Sequence, residues 1–256
     1  MTTSRNNPIA LITGGSRGLG RSMALHLAER GTDILFTYRA AVAEANDLIG
    51  RIHALGRKAV ALQLDVADSA SFDAFGHAVA TELERSFGRK NFDYLVNNAG
   101  TSLHASIAET TAAQLDEIYS VHFKAPFLLT QRLLPLIADG GRIVNISSGL
   151  ARMTLPGSSA YGAMKAAVET LTRYMAKELG ERRITANVIA PGAIETDFSG
   201  GMVRDNPEVN QRIASMTALG RVGLPDDVGG AVAMLLAPES GWINAQRIEV
   251  SGGMGL

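Results

Sequence analysis

The sequence predicts an α/β protein: a parallel sheet covered by helices on both faces. Three observations carry this. Seven short β-rich runs alternate with helical patterns along the chain, the order that parallel pairing through crossover helices needs. The runs are largely apolar, as strands buried on both faces are. Apolar residues make up 46% of the 256 positions, with no linker or composition break, so there is material for one large core.

In chain order, Pro8 to Thr13 reads as a buried strand and Gly18 to Arg30 as a helix. Asp33 to Tyr38 is a second strand, followed by an Ala-rich helix to about Leu55. Ala59 to Leu64 and then Ser69 to about Phe87 form the third strand and helix. Phe92 to Val96 is the fourth strand. The helical stretch after it, Ala112 to Ile137, is interrupted by Pro126 and Pro135, which remove backbone donors. Arg142 to Ile146 and about Ala160 to Leu179 supply the fifth strand and its helix. Ile184 to Ile189, Pro225 to Leu236 and Arg247 to Val250 complete the pattern. Between them, 192–224 is one long segment with weak periodicity, of the length usual for a functional loop. The expectation is a single domain over 1–256, with a lid at about 192–224.

The net charge is −1 with acids and bases interspersed, which argues against a nucleic-acid partner. Cysteine is absent, so disulfides, thiol nucleophiles and thiolate metal sites are excluded. Met1 to Asn7 is polar, with no apolar leader behind a basic start. No run approaches the length of a membrane span. The expectation is a cytoplasmic protein with no metal and no membrane partner.

Tyr161 and Lys165 stand one helical turn apart, on one face. A phenol titrates near ~10 in water. A positive charge within a turn favours the phenolate, which would suit a general acid-base at neutral pH. Upstream, Thr13-Gly14-Gly15-Ser16-Arg17-Gly18-Leu19-Gly20 follows the first strand and opens the first helix. Glycines there let a pyrophosphate approach the backbone, and the helix N-terminus offers free N–H groups. A dinucleotide site is expected. NAD-binding units place an acid at the end of the second strand for the ribose 2′-hydroxyl. None stands at Phe36 to Arg39. Arg39 and Arg17 are instead placed to meet a 2′-phosphate, which favours NADP(H) over NAD(H).

The spacing Gly14-x-x-x-Gly18-x-Gly20, with Asn97-Asn98-Ala99-Gly100, Ser148, Tyr161 and Lys165, resembles the short-chain dehydrogenase/reductase family over essentially the whole chain. Pro191-Gly192-Ala193-Ile194-Glu195-Thr196, Gly220-Arg221-Val222-Gly223 and Ser251-Gly252-Gly253 strengthen the resemblance. It implies one Rossmann-like, doubly wound domain with a seven-stranded parallel sheet, usually a homotetramer. It implies that Asp65 and Val66 contact the adenine. Asn97, Ala99 and Gly100 would line the adenosine and ribose side. Ile194 and Thr196, in the Pro191-Gly192 turn segment, would meet the nicotinamide amide and the pyrophosphate. Lys165 would also hold the nicotinamide ribose. Ser148 would hold the substrate carbonyl oxygen and Tyr161 would exchange its proton. Ser147 is the competing serine, expected to point to the other face.

One departure stands out. Where the family often carries an asparagine that holds a proton-relaying water, this chain has His122. Imidazole can accept and donate, so His122 is either a relay or a packed histidine. Phe198, Met202 and Met216, with Leu150, Met153 and Leu155, are candidates to flank the substrate, and methionine suits varied apolar ligands. The expected substrate is a small neutral ketone, aldehyde or quinone. The alternatives are a 3-oxoacyl-carrier-protein reductase, with Arg182-Arg183 as a docking patch, and a non-catalytic NADP(H)-sensing protein.

Overall fold

The computed structural model describes residues 7–256; residues 1–6 of the polar opening stretch lie outside the described residues. The strands are β1 (Ile9–Ile12), β2 (Asp33–Tyr38), β3 (Ala59–Gln63), β4 (Phe92–Asn97), β5 (Ile137–Ile146), β6 (Thr185–Pro191) and β7 (Arg247–Val250). They form one parallel sheet in the order β3-β2-β1-β4-β5-β6-β7. The chain builds outward from β1 to β3, then returns to β4 and builds the other way. The switch point between β1 and β4 is where an open sheet of this kind leaves a crevice, beyond the strand C-termini.

The helices are α1 (Gly18–Glu29), α2 (Val42–Ala54), α3 (Phe72–Glu82), α4 (Ala112–Tyr119), α5 (Ala125–Leu133), α6 (Ser159–Glu178), α7 (Met202–Asp205), α8 (Pro207–Ser215) and α9 (Pro225–Leu235). Alternate side chains of each strand serve opposite faces. Leu11, Leu35, Leu95 and Ile143 pack with Val79, Leu129, Leu133, Leu171 and Met175 from α3, α5 and α6. Ile12, Ile34, Val96 and Val144 pack with Met23, Leu27, Leu48, Ile52 and Val232 from α1, α2 and α9. Both layers of the expected covering are present.

Three departures from the sequence reading have physical causes. The stretch expected as a helix from Ala112 to Ile137 is α4, a π-helical turn at Ser120–Lys124, α5 and a short 3₁₀ turn at Leu134–Leu136. Pro126 has no N–H and its ring crowds the carbonyl four residues back, at His122; there the helix widens, with Ala125 N–H donating to the Ser120 carbonyl. Second, β5 begins at Ile137, not Arg142. Ile137 pairs with Phe92, the chain bulges through Ala138–Gly141 with Gly140 at φ +77°, and pairing resumes at Arg142 opposite Tyr94. Third, 192–224 contains α7 and α8. Asn206 caps α8, its side chain accepting from the Glu208 and Val209 N–H groups, with Pro207 next. Loss of such a cap costs about 0.5–2 kcal/mol. No helix among the described residues is long and apolar enough to cross a membrane.

Candidate active site

The glycine turn lies between β1 and α1. Gly14 has φ +64°, and a Cβ there would fall 3.0 Å from the Ala99 Cα. Gly14 N–H donates to Thr37 Oγ1 at 3.0 Å and Gly15 N–H to the Thr37 carbonyl at 2.8 Å. From the other side, Asn98 Nδ2 donates to the Thr13 and Gly14 carbonyls at 2.9 and 3.0 Å. Thr13 Oγ1 accepts from the Asn98 and Ala99 N–H groups. Thr13, Thr37 and Asn98 thus brace the turn; the sequence reading gave none of them a role, although each is a polar residue at a strand end beside the glycines. Ser16 is buried, and Arg17 precedes α1 with extended backbone and no side-chain cap on the helix. The first turn of α1 carries no acid. An uncapped, acid-free helix N-terminus beside a cradle that a side chain would fill suits a pyrophosphate.

The other expected contacts gather at the same edge. Arg39 is exposed just past β2, and Asp65 and Val66 follow β3. Val66 lines a narrow crevice with Thr13, Asn97, Ala99 and Val121. Gly100 sits against the His122 ring. Pro191 ends β6, Gly192 and Ile194 follow, and Thr196 stands across from Gly18. Leu19 packs partly into the core layer beside α1. Asn97 differs from expectation: its side chain turns into the core, donating to Thr130 Oγ1 at 3.0 Å and Asn145 Oδ1 at 2.8 Å. It holds β4 to β5 and α5, its amide engaged in the core while the residue still lines the crevice. Arg17 reaches Asp197 at 3.9 Å, both largely exposed, a pair worth little in solvent.

Beyond β5 the chemistry-bearing groups meet. Ser148 has extended backbone and its hydroxyl accepts from Leu150 N–H at 3.2 Å. The same hydroxyl is close enough to the Tyr161 phenol to favour its ionised form. Ser147 turns away: its hydroxyl is buried and donates to Glu169 at 2.6 Å. Of the two serines, Ser148 faces the tyrosine. Tyr161 and Lys165 share one face of α6. Lys165 is 5% exposed, its Nζ lies 5.6 Å from the Tyr161 ring centroid, and it donates to the Ile146 carbonyl at 2.7 Å. His122 is 2% exposed and meets the Tyr161 ring edge-on, centroids 5.1 Å apart. Its Nε2 lies 2.8 Å from the Thr101 carbonyl and 3.3 Å from the Thr101 N–H; the shorter contact assigns the proton to Nε2, and Nδ1 is buried with no partner.

Electrostatics correct one expectation. Burial pushes the Tyr161 phenol up to about 12, the Ser148 hydroxyl acting the other way. Burial also brings Lys165 down to about 7. The lysine does not hold the phenol low here; desolvation governs both groups. His122 falls to about 3, through burial first and the Lys165 charge second, against the Thr101 backbone hydrogen bond. At neutral pH the phenol keeps its proton and the imidazole is neutral.

Phe198 lies 6.0 Å from the Tyr161 ring, centroid to centroid, and Leu155, Met202 and Met216 are exposed. Met153 instead packs against Gly149 and Gly255. A cation not anticipated from the sequence, Arg152, lies within Leu150 to Gly157, its guanidinium 4.0 Å from Glu249. Glu169 and Arg247 were also missed; they are far apart in sequence and meet only in the fold.

Residues 14–255 match the family model described as enoyl-(acyl carrier protein) reductase. The chain is 35% identical to hydroxynaphthalene reductase-like protein Arp2 of Metarhizium brunneum (strain ARSEF 3297), over 96% of this chain and 94% of that one. LugOII, a promiscuous reductase that catalyses keto-reduction at C1 during lugdunomycin biosynthesis, has the same fold with a TM-score of 0.92, at 38% identity over 98% of each chain. The angucycline C-6 ketoreductase LanV, solved with bound NADP, gives a TM-score of 0.92 at 33% identity, covering 97% of this chain and 95% of that one. Agreement of this extent, on both the sequence and the strand order that positions Ser148, Tyr161 and Lys165, makes the chain a member of the short-chain dehydrogenase/reductase family of oxidoreductases.

Proposed function

We propose that this protein is an NADPH-dependent ketoreductase acting on neutral, apolar, ring-bearing ketones or quinones. The observation that carries the reading is the meeting of the Ser148 hydroxyl, the protonated Tyr161 phenol and buried Lys165 beside the glycine cradle. NADPH, when bound, supplies the hydride for the carbonyl carbon. Gly14, Ser16, Gly18 and Gly20 with the α1 N-terminus receive the pyrophosphate, Arg17 and Arg39 the 2′-phosphate, and Ile194 and Thr196 the nicotinamide side. Ser148 donates a hydrogen bond to the substrate oxygen. Tyr161 delivers its proton to that oxygen as negative charge develops there, and the Lys165 ammonium offsets the charge left on the phenolate. A phenol that stays protonated at neutral pH is the form that reduction needs.

His122 enters as an acceptor: its unpartnered Nδ1 receives a water that links to Lys165 and resupplies the proton. A buried polar atom without a partner is a natural water site. The substrate class draws support from Phe198 beside the Tyr161 ring and from relatives named for hydroxynaphthalene and angucycline reduction. The segment at about 192–224, with α7 and α8, is the lid, and 1–256 acts as one domain. We further propose a cytoplasmic homotetramer. Of the carrier-protein alternative's docking pair, Arg182 is engaged within the fold, with Asp139 at 2.8 Å and the Leu134 and Ile137 carbonyls at 2.8 and 2.5 Å, while Arg183 is exposed. Incubation with NADPH and a panel of aromatic ketones, quinones and acyl thioesters, followed by NADPH absorbance, tests the reading. Oxidation of NADPH by the ring-bearing carbonyls supports it; turnover confined to acyl thioesters, or none at all, overturns it.

A further inference from the structure

Ser148 is useful only if its hydroxyl stays at a fixed place relative to Tyr161, yet it sits where β5 has just ended. The last ladder bond on this side is Ser147 N–H to the Ile189 carbonyl, at 2.8 Å. Beyond it the chain enters a short 3₁₀ turn, Gly149–Ala151. Two charged side chains grip this junction. Glu169 Oε1 accepts from Ser147 Oγ at 2.6 Å and from Arg247 Nε at 2.7 Å. Arg247 also donates from Nη2 to the Ser148 carbonyl at 3.3 Å and pairs with Glu249, which approaches Arg152. The Glu169 and Arg247 side chains are 13% and 10% exposed, so solvent screens them little.

The placement of Glu169 gives the pair its meaning. Tyr161, Lys165 and Glu169 follow one another at four-residue steps on α6 and share a face. Arg247 belongs to β7, whose register sets it beside Val188 of β6. One ion pair therefore ties the serine junction to the helix that carries the tyrosine and lysine, and to the sheet behind it. We propose that Glu169 and Arg247 are positioning residues for the carbonyl-reduction step, acting through Ser148. This rests on the ketoreductase reading above. Misplacing a catalytic group by about 1 Å can cost ~10²-fold in rate, so the hold matters even though neither residue touches the reacting atoms.

The test must separate positioning from folding. Removing one partner strands a buried charge, whereas replacing both by apolar residues of similar volume is often neutral for stability. The variant to build is therefore Glu169→Leu with Arg247→Met together, beside Glu169→Gln, which keeps an acceptor for Ser147 and Arg247. The paired variant is expected to keep its melting temperature within a few degrees and its NADPH affinity within about twofold, while kcat falls ~10-fold or more; Glu169→Gln should lose less. The deciding measurement combines the paired variant with Ser148→Ala. If the pair acts through Ser148, its removal costs less than about twofold once the serine hydroxyl is gone. A full, multiplicative loss in that background overturns the proposal, as does an unchanged kcat in the paired variant. If the paired variant does not fold, the same cycle run with Glu169→Gln decides in the same way. Failure of the underlying reading looks different: the wild-type protein itself would not oxidise NADPH with any carbonyl substrate.

Discussion

The Lys165 ammonium group lies 5.6 Å from the centre of the Tyr161 ring, and its short hydrogen bond, 2.7 Å, goes to the Ile146 carbonyl rather than to the phenol. Lysine and tyrosine are thus arranged as neighbours that share a desolvated space. Burial pushes both towards neutrality, the phenol up to about 12 and the lysine down to about 7. A proton on the phenol is ready for reduction, and the lysine's charge is the variable part.

The pH profile of reduction follows from this. Tyr161 stays protonated throughout the working range, so it sets no limb. Lys165 carries its charge below about 7 and loses it above. The expected kcat profile for carbonyl reduction is therefore high on the acid side and declines as pH rises through about 7. Lys165→Met should remove this limb along with most of the activity. A kcat that rises across that window would contradict the assignment of Lys165 as the group offsetting the phenolate.

His122 links stability to pH with the opposite sense of loss. Its folded value of about 3 lies below the ordinary 6.5, so between those values the unfolded chain binds the extra proton. Stability contributed at this site is complete above about 6.5 and is lost as pH falls towards 3. His122→Asn should flatten the acid limb of the melting temperature. His122→Leu should in addition slow turnover ~10-fold, because it deletes the Nδ1 acceptor. A loss confined to melting temperature would retire the relay and leave Ser148, Tyr161 and Lys165 as the catalytic set.

Cofactor preference turns on two exposed arginines. Losing one charge-assisted contact to a phosphate costs about 1.5–3 kcal/mol, or ~10–100-fold in affinity. Arg39→Ala should weaken NADPH by that factor and leave NADH nearly unchanged, read by fluorescence titration. Equal weakening of both, or a wild-type preference for NADH, would remove Arg39 from the 2′-phosphate.

The proposed assembly rests on one face of the helices. Leu129, Leu133, Leu171 and Met175 are buried in the chain's own core. What remains outside is an aromatic ladder, Tyr119, Phe123 and Phe127, with adjacent centroids 6.0 and 6.4 Å apart, and Tyr174, 62% exposed. Exposed aromatic residues on these helices suit a partner surface. Light scattering at micromolar concentration should report a tetramer, and Phe127→Glu with Tyr174→Glu should shift it to smaller species. A wild-type monomer would refute the assembly.

Strand periodicity and glycine placement made the sheet readable from sequence: β2 has the bounds expected of it, β1 is a residue shorter at each end, and β3 a residue shorter at its C-terminal end. Ala138-Asp139-Gly140-Gly141 hid the start of β5, because turn-forming residues inside a strand look like a loop until the partner strand fixes the register. The helix α8 carried a readable signal in Asn206-Pro207-Glu208, outweighed by weak periodicity around it. The site was legible where chemistry is concentrated in short motifs, as at Tyr161 to Lys165. It was illegible where two distant segments meet, as Glu169 and Arg247 do, and where burial decides a charge state, as at His122. Both depend on what packs around a residue, which spacing alone does not encode.

The central claim is that Tyr161 delivers the proton to the carbonyl oxygen. Single-turnover reduction of an aromatic ketone by NADPH, compared between wild type and Tyr161→Phe, tests it most directly, with NADPH binding measured on the same samples. The expected result is a fall of ~10²-fold or more in the rate with cofactor affinity held within about twofold. A Tyr161→Phe rate close to that of the wild type, at equal cofactor occupancy, would contradict it.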